Sequence, residues 1–166
     1  MNIFTVHDDP YIAASYLHDK HILKMPLETS QMLSTCHHFK HSNPHPNLYK
    51  PCFVNHPCTQ WVMESAQNYF WTLQHFEAIS KMFFKVYGKV HGSFKKLYPI
   101  LCDIPDGLSV SKGLTPFAKA VGKIKKYMDI ENPVDCYRAY YIGEKLTDKN
   151  GNLSTWKGRG KPEWIV

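Results

Sequence analysis

A long apolar stripe with helical spacing restricts the fold of this chain more than any other feature. From Val62 to Tyr87 the positions 62, 66, 69, 73, 76, 80, 83 and 87 advance by alternating steps of four and three, and Ser80 is the only polar residue among them. This period places the side chains on one face of an α-helix. Gly88 follows, where helices commonly end in a left-handed residue. The pattern predicts a buried helix about seven turns long.

Four X-Pro pairs predict the starts of helices, because proline suits the first helical position and Asp, Thr and Asn are good N-caps. The pairs are Asp9-Pro10, His56-Pro57, Thr115-Pro116 and Asn132-Pro133. After Thr115, a second helix is predicted from an apolar stripe with lysines on another face; the stripe is Phe117, Val121, Ile124 and Met128, and the lysines are Lys119, Lys123 and Lys126. Residues 133–146 predict a further helix.

The segment 19–33 (DKHILKMPLETSQML) predicts a helix with an unusual concentration of charge. Lys20, Lys24 and Glu28 are spaced four residues apart and therefore share one face, with His21 beside them. Such a row can be a surface of ion pairs, each contributing ~0.2–0.5 kcal/mol. It can also be a site where the amines bind phosphate while His21 or Glu28 transfers protons. Pro26 lacks an N–H donor, so we expect a kink or a helix boundary near residues 22–26.

The remaining segments complete an all-α prediction. Residues 41–56 and 103–115 are expected to be loops, and residues 2–6 (NIFTV) are strand-like but too isolated to form a sheet. The tail from Thr147 is rich in turn residues but carries Trp156 and Trp164, so we expect it to dock on the protein. We therefore predict one compact helical domain over residues 1–166, with long loops and a docked C-terminal tail.

The positive charge is concentrated in the middle of the chain. Residues 81–126 hold ten lysines and two aspartates, whereas residues 1–80 carry a net charge of −2 and residues 127–166 a net charge of zero. This distribution favours a nucleic-acid partner, although a solvated lysine face has the same pattern. Arginine occurs only at 138 and 159, so phosphate contacts are expected to dominate over bidentate reading of guanine.

Other sequence features narrow the class of protein. No apolar run approaches the ~20 residues of a membrane helix, and MNIFTVHDDP does not resemble a signal peptide. We expect a soluble cytoplasmic protein (in the host cytoplasm if phage-encoded) with no membrane contact. The five cysteines include no CxxC pair and are expected to be free thiols. P-loop, GxGxxG, GxSxG and HExxH motifs are absent, which disfavours the enzymes that carry them, and no cofactor is predicted.

The stretch from Cys36 to Cys58 is dense in cysteine and histidine. Zinc sites use these residues, but the spacing matches no standard zinc motif. We expect a polar surface loop whose imidazoles hydrogen-bond the backbone, and no metal site. The histidines are His37, His38, His41, His45 and His56.

The opening MNIFTVHDDPYIAASYLHDKHILK, followed by FVNHPCTQW and a long helix ending near VYGKV, resembles the pyrimidine-dimer DNA glycosylase family (endonuclease V type). This resemblance covers mainly residues 1–90. Most of the chain is also similar to a set of uncharacterised phage proteins, with which it shares the landmarks DKHILK, NHPCTQW, VYGKVH, YRAYYIGEK and KPEW.

The resemblance implies a compact helical fold and a metal-independent mechanism. In that family the N-terminal α-amine attacks the sugar C1′ and forms a Schiff base, a glutamate on the first long helix assists, basic residues clamp the DNA, and a base is flipped out. An α-amino group suits this reaction because it titrates at about pH 8. Met1 would supply the amine, and Asn2 is too large for ordinary removal of Met1. The family's glutamate falls nearest to His21–Lys24, where no carboxylate stands; Asp19 and Glu28 flank that place.

The candidate residues follow from this comparison. The catalytic candidates are Met1, Asp19, Lys20, His21, Lys24 and Glu28, and Lys20 or Lys24 becomes an alternative nucleophile if burial lowers its pKa. The expected DNA contacts are Asn55, His56, Lys89, His91, Lys95, Lys96, Arg138, Trp156 and Arg159.

Three functions remain open from the sequence. The leading hypothesis is a phage-type DNA N-glycosylase, with or without lyase activity at the abasic (AP) site, that acts on a flipped, damaged or modified pyrimidine. The second is a transferase for thymine hypermodification that displaces an activated 5-hydroxymethyluracil pyrophosphate, with the charged group on residues 19–24 holding the leaving group. The third is a non-catalytic phage protein that binds DNA or a host factor through its lysine face.

Overall fold

Helices provide the regular structure of the protein. The computed structural model describes residues 1–148 and 150–166. Within these residues, β-structure is limited to one isolated antiparallel bridge between Thr147 and Leu153. The all-α prediction is therefore confirmed. The seven helices of this part are α1 (Pro10–Tyr16), α2 (Asp19–Lys40), α3 (Pro57–Val62), α4 (Ala66–Tyr87), α5 (Gly92–Leu101), α6 (Lys125–Met128) and α7 (Pro133–Glu144).

The predicted apolar stripe forms the buried face of α4, but the helix starts later than expected. Ser65 has extended backbone angles and its hydroxyl accepts the N–H of Asn68, which caps the first turn. Val62 therefore ends α3 instead of opening α4. Gly88 closes α4 with a φ of 68°, as predicted, and its N–H donates to the carbonyl of Phe84. Because α1, α2, α3 and α5 all pack on α4, this helix is the centre of the core.

Three of the four predicted proline starts are confirmed, at Pro10, Pro57 and Pro133. The fourth, at Pro116, is wrong. Residues 116–124 form no helix, and only the short α6 follows them. Side chains from elsewhere bind the backbone of this segment. The Tyr137 hydroxyl donates to the Ala118 carbonyl and accepts the Ala120 N–H, and Asn2 donates to the Ala120 carbonyl. These hydrogen bonds take the place of the backbone hydrogen bonds that a helix would form here.

Helix α2 is longer than predicted and runs without interruption through Pro26. Of the two expected outcomes near residues 22–26, the helix boundary is therefore wrong, and the kink stays a prediction. One backbone hydrogen bond is lost at the proline. Ile22, Met25 and Pro26 are buried and α2 packs on α4, so the burial of apolar surface offsets that loss. The buried apolar side chains of α2 include Ile22, Met25, Met32 and Leu33.

The predicted loops at residues 41–56 and 103–115 and the docked tail are confirmed. The polar surface loop predicted from Cys36 to Cys58 is wrong at both ends, because residues 36–40 belong to α2 and residues 57–58 to α3. His37 is buried there, with its Nε2 2.7 Å from the Tyr69 hydroxyl. Residues 41–56 and 103–115 contain no helix. The imidazoles of His41 and His45 each accept a backbone N–H two residues further on, as expected. The tail docks on α1, where the Trp156 indole donates to the Tyr16 carbonyl and the Trp164 ring packs edge-on against Tyr16.

Three further observations concern the described residues as a whole. No helix in this part of the chain is long and apolar enough to cross a membrane. All five cysteines are free thiols. Across residues 1–148 and 150–166, no three histidine, cysteine or acidic side chains come close enough together to hold a metal ion.

Candidate active site

The N-terminal segment is fixed in place by the side chain and backbone of Asn2. The Asn2 amide donates to the carbonyl of Ala120 at 2.8 Å, and its oxygen accepts the N–H groups of Ile3 and Phe4 at 2.8 and 3.0 Å. The backbone N–H of Asn2 donates to Glu28 Oε2 at 3.0 Å. Asn2 is buried, so these bonds hold the start of the chain firmly on α2.

Met1 is held so that its main chain, and not its side chain, faces outward. The Met1 side chain is only 1% exposed and its sulfur accepts the Thr59 hydroxyl at 3.6 Å. The residue as a whole is nevertheless half-buried. The part of Met1 that reaches solvent is therefore its main chain, which carries the α-amine.

Glu28 joins the two amines of the site. Its Oε2 lies 3.6 Å from the Met1 nitrogen, and its Oε1 lies 2.8 Å from the Lys24 ammonium. Glu28 is buried, whereas the Lys24 side chain is 65% exposed. A carboxylate in this position can take up a proton from the amine and stabilise a positive charge on that nitrogen. Lys24 presents a second positive charge at the surface beside it.

His56 closes the site from the side of α3. Its Nδ1 accepts the N–H of Cys58 and so caps this helix. The two residues that follow the proline both contact the N-terminus, since the Cys58 thiol lies 3.9 Å from Asn2 Oδ1 and Thr59 contacts Met1. Burial lowers the pKa of His56; the nearby N-terminal ammonium lowers it further, while the Glu28 carboxylate opposes this shift. A neutral imidazole therefore stands near the amine.

His21 contacts the N-terminal segment through the ring of Phe4. Its ring stacks on Phe4 at a centroid distance of 4.3 Å and on His18 at 3.9 Å, and its Nδ1 shares a hydrogen bond of 2.9 Å with the Tyr141 hydroxyl. Burial lowers the pKa of His21 to about 2, with the charges of His18 and nearby lysines adding to the shift. The ring is therefore neutral near pH 7. Phe4, which stacks on this ring, has a φ of 55°, a strained conformation that only the surrounding contacts can stabilise.

Asp19 has a structural partner and is not brought to the amine. Its carboxylate accepts hydrogen bonds from Arg159 at 2.7 Å, from the Thr155 hydroxyl and from the Lys157 N–H. The Asp19 and Arg159 side chains are 7% and 6% exposed. Burial by itself raises the pKa of Asp19, but these donors outweigh it and lower the pKa. The pair attaches the C-terminal tail to the start of α2. Lys20 is also occupied, by Asp148 at 2.6 Å.

Seven of the nine sequence-predicted DNA contacts fall into two groups, and the other two, His56 and His91, cap α3 and α5. Asn55, Lys89, Lys95 and Lys96 are exposed. The lysines among them lie around the N-terminus of α5, which the His91 imidazole caps by accepting the Ser93 N–H. Three others are held in contacts within the protein. Arg138 donates to the Val6 carbonyl and its guanidinium lies 5.7 Å from the centre of the Trp164 ring, Trp156 donates to Tyr16, and Arg159 is paired with Asp19.

Two residues that shape the site were not among the candidates. Asn2 anchors the amine, and Tyr137 holds the backbone that Asn2 binds. The Tyr137 side chain is buried and its hydroxyl lies 3.8 Å from the Cys58 thiol. Position beside Met1 is the only sequence signal that points to Asn2, and Tyr137 has no local signal because its partners lie 17 and 19 residues away.

The site is thus a fixed, solvent-facing α-amine beside a buried glutamate on the first long helix of an all-α protein. A family model described as pyrimidine dimer DNA glycosylase matches residues 1–84, about half of the chain. The matched part includes Met1, Glu28 and His56. The chain belongs to the pyrimidine dimer DNA glycosylase family, and the resemblance seen in the sequence is confirmed. No curated protein and no solved structure matches the chain.

Proposed function

We propose that the protein is a DNA N-glycosylase for damaged or modified pyrimidines and that the Met1 amine is its nucleophile. The observation that carries the proposal is the 3.6 Å separation between the Met1 nitrogen and Glu28 Oε2, in a segment fixed by Asn2. This arrangement supplies the two groups that attack at C1′ requires, a positioned amine and a carboxylate beside it. Membership of the glycosylase family supports DNA as the substrate.

The proposed reaction begins when the neutral amine attacks C1′ of the target nucleotide. The new C–N bond forms as the glycosidic bond breaks, and the base leaves with the bonding electron pair and takes up a proton. Glu28 accepts the proton that the attacking amine releases and passes it to O4′ as the C1′–O4′ bond breaks, which opens the sugar ring and gives an iminium ion between Met1 and C1′. Glu28 is then a carboxylate again, and its negative charge stabilises the iminium.

The lyase step is part of the same proposal. Loss of a proton from C2′ of the iminium allows β-elimination of the 3′-phosphate, which breaks the strand. Water then hydrolyses the imine and releases the amine. Lys24 is exposed beside Glu28, where its charge suits a DNA phosphate. Lys89, Lys95 and Lys96 provide further charge for contacts to the backbone.

The contacts of the charged group disfavour the transferase alternative. Asp19, Lys20 and Lys24 do not converge, because their partners are Arg159, Asp148 and Glu28 respectively. His21 faces Tyr141. A pyrophosphate leaving group would need the two lysines to face one point. The non-catalytic alternative shares the exposed lysines, and borohydride trapping distinguishes it.

Borohydride trapping tests the proposal. The protein is incubated with duplexes that contain an abasic site or a thymine dimer, reduced, digested and analysed by mass spectrometry. We expect the adduct on the N-terminal peptide, and we expect it to persist in Lys24→Arg, which keeps the charge but forms no Schiff base. A variant with one residue added before Met1 moves the amine by about 3.8 Å and should lose the adduct. An adduct on Lys20 or Lys24 would refute the assignment of Met1, and the absence of both adduct and strand scission would refute the function.

A further inference from the structure

Phe53 combines two features that folding alone does not explain. It lies in the loop before α3, its side chain is exposed with 62% of its surface accessible, and its φ is 48°. A bulky residue in this left-handed region costs of order 1–3 kcal/mol. Burial of the ring does not offset that cost here. Glycine or asparagine would adopt this φ with less strain. The fold therefore does not require a phenyl ring at position 53.

Hydrogen bonds fix the backbone on both sides of Phe53. On one side, the N–H and carbonyl of Cys52 both bind the Thr35 hydroxyl on α2, at 3.1 and 3.2 Å. On the other side, the Val54 carbonyl accepts the Gln60 amide at 2.7 Å. The carbonyl of Phe53 itself accepts the N–H of His56 at 2.9 Å, which closes the turn. The ring therefore projects from a support that is fixed to both α2 and α3.

This support leads directly into the candidate active site. The turn that begins at Phe53 ends at His56, whose imidazole lies near the N-terminal ammonium and Glu28. Asn55, between them, is exposed. The phenyl ring is therefore exposed on the same short loop as His56, six residues before Thr59, whose hydroxyl contacts Met1.

We propose that Phe53 inserts its ring into the base stack of the substrate duplex, next to the nucleotide whose C1′ reaches Met1. This inference rests on the proposed function, because a glycosylase must displace a base from the stack before the target sugar can reach an amine on the protein. The ring would fill the place of the displaced base and stack on its neighbour. Apolar side chains that wedge between base steps act in this way in other DNA-binding proteins.

Phe53→Gly is the decisive variant, because glycine removes the ring and accepts the same φ. Stacking on a base is worth ~1–3 kcal/mol, so the single-turnover rate on a duplex with a paired target should fall about 5–150-fold. A second duplex lacks the base opposite the target and the base at the adjoining position, so unstacking is largely done before the protein binds. On this gapped duplex the fall in rate should shrink to less than about 3-fold. The melting temperature should not decrease, since strain is removed.

Controls separate this role from others. Phe84→Ala removes a ring of similar exposure (55%) on α4, which lines a separate surface cavity with Lys81 and Val90, and should leave both rates unchanged. Phe53→Asn also tolerates a positive φ and should behave like Phe53→Gly. Phe53→Trp should retain activity on the paired duplex.

Two outcomes would overturn the proposal: an equal loss on the paired and the gapped duplex, or no loss on either. A binding assay gives an answer that does not depend on catalysis. The wild-type protein should increase the fluorescence of 2-aminopurine placed beside the target, and Phe53→Gly should not. Equal fluorescence with both proteins would rule out insertion even if strand cleavage is observed, whereas a wild-type protein that inserts but does not cleave would refute only the proposed function.

Discussion

Glu28→Gln is the substitution that tests the candidate site most directly. It keeps the size of the side chain and retains one carbonyl oxygen, but it removes the negative charge from a position between two amines. In the structure Oε2 accepts the Asn2 N–H at 3.0 Å and faces the Met1 nitrogen, while Oε1 binds Lys24 at 2.8 Å. The amide oxygen can still accept the Asn2 N–H, so the N-terminal segment should remain attached.

The expected effects on rate and on stability differ in size. A positioned group that accepts or donates a proton contributes about 10²–10⁴-fold to a rate, which corresponds to roughly 3–5 kcal/mol in activation free energy. The surface ion pair with Lys24 contributes at most about 0.5 kcal/mol to folding. Exchange of a charged for a neutral acceptor at Asn2 weakens that hydrogen bond by about 1 kcal/mol. Glycosylase activity should therefore fall at least 100-fold while the free energy of unfolding changes by only about 1–2 kcal/mol.

The assay is single-turnover cleavage of a dimer-containing duplex with enzyme in excess, run beside urea denaturation of the same samples. Glu77→Gln is a matched control, because Glu77 forms the same i, i+4 pair with Lys81 on α4, at 2.9 Å. Glu77 also accepts the Tyr11 hydroxyl, so the control loses comparable surface contacts. The reasoning would be refuted if Glu28→Gln kept its activity within about 3-fold of the wild type, or if both variants lost it equally.

Three further predictions concern the support of the site. Arg159→Met leaves the Asp19 carboxylate buried without its cation, so the free energy of unfolding in urea should fall by about 3–5 kcal/mol; a change below about 1 kcal/mol would contradict the structural role of this pair. Burial lowers the pKa of His18, His37 and His75 to about 4 from 6.5, so these rings take up protons mainly when the protein unfolds. The stability present above about pH 6.5 should therefore be lost progressively as the pH falls to about 4. Equal urea midpoints at pH 7 and pH 4.5 would contradict this prediction. Asn2→Ala keeps the backbone hydrogen bond to Glu28 but removes the side-chain hydrogen bonds to Ala120, Ile3 and Phe4. Because the amine is then less well positioned, the rate of borohydride trapping should fall about tenfold. An unchanged rate would show that the amine does not need this anchor.

Local sequence rules predicted most helices because the forces that start and stop a helix act over a few residues. Asp9 and Asn132 cap their helices, and Gly88 ends α4, through contacts with immediate neighbours. The segment 116–124 had an equally good helical period and a proline start, yet it is not helical. Its backbone groups are bound by Asn2 and Tyr137, and no local rule includes partners so far away in the chain.

The candidate site shows the same division between local and distant signals. Met1 and Glu28 were predicted, and the structure brings them together. Asp19 and Arg159 were predicted for catalysis and for DNA binding, and the structure pairs them with each other across 140 residues. A buried ion pair and an active site both require charged residues among apolar ones, so composition cannot separate the two uses. Only the position of the partner does.

Helical geometry nevertheless explains why Glu28, and not Asp19, meets the amine. Nine residues at about 100° each place these two carboxylates on opposite sides of α2, so one faces the docked tail and the other faces the N-terminus. His21 and Glu28 are seven residues apart and lie within about 20° of each other, but about 10 Å apart along the axis. The three residues that follow Met1 can span at most about 10 Å. The N-terminal segment therefore runs along this face of α2 with Met1 at Glu28 and Phe4 stacked on His21, and a shift of one helical turn would separate the amine from the carboxylate.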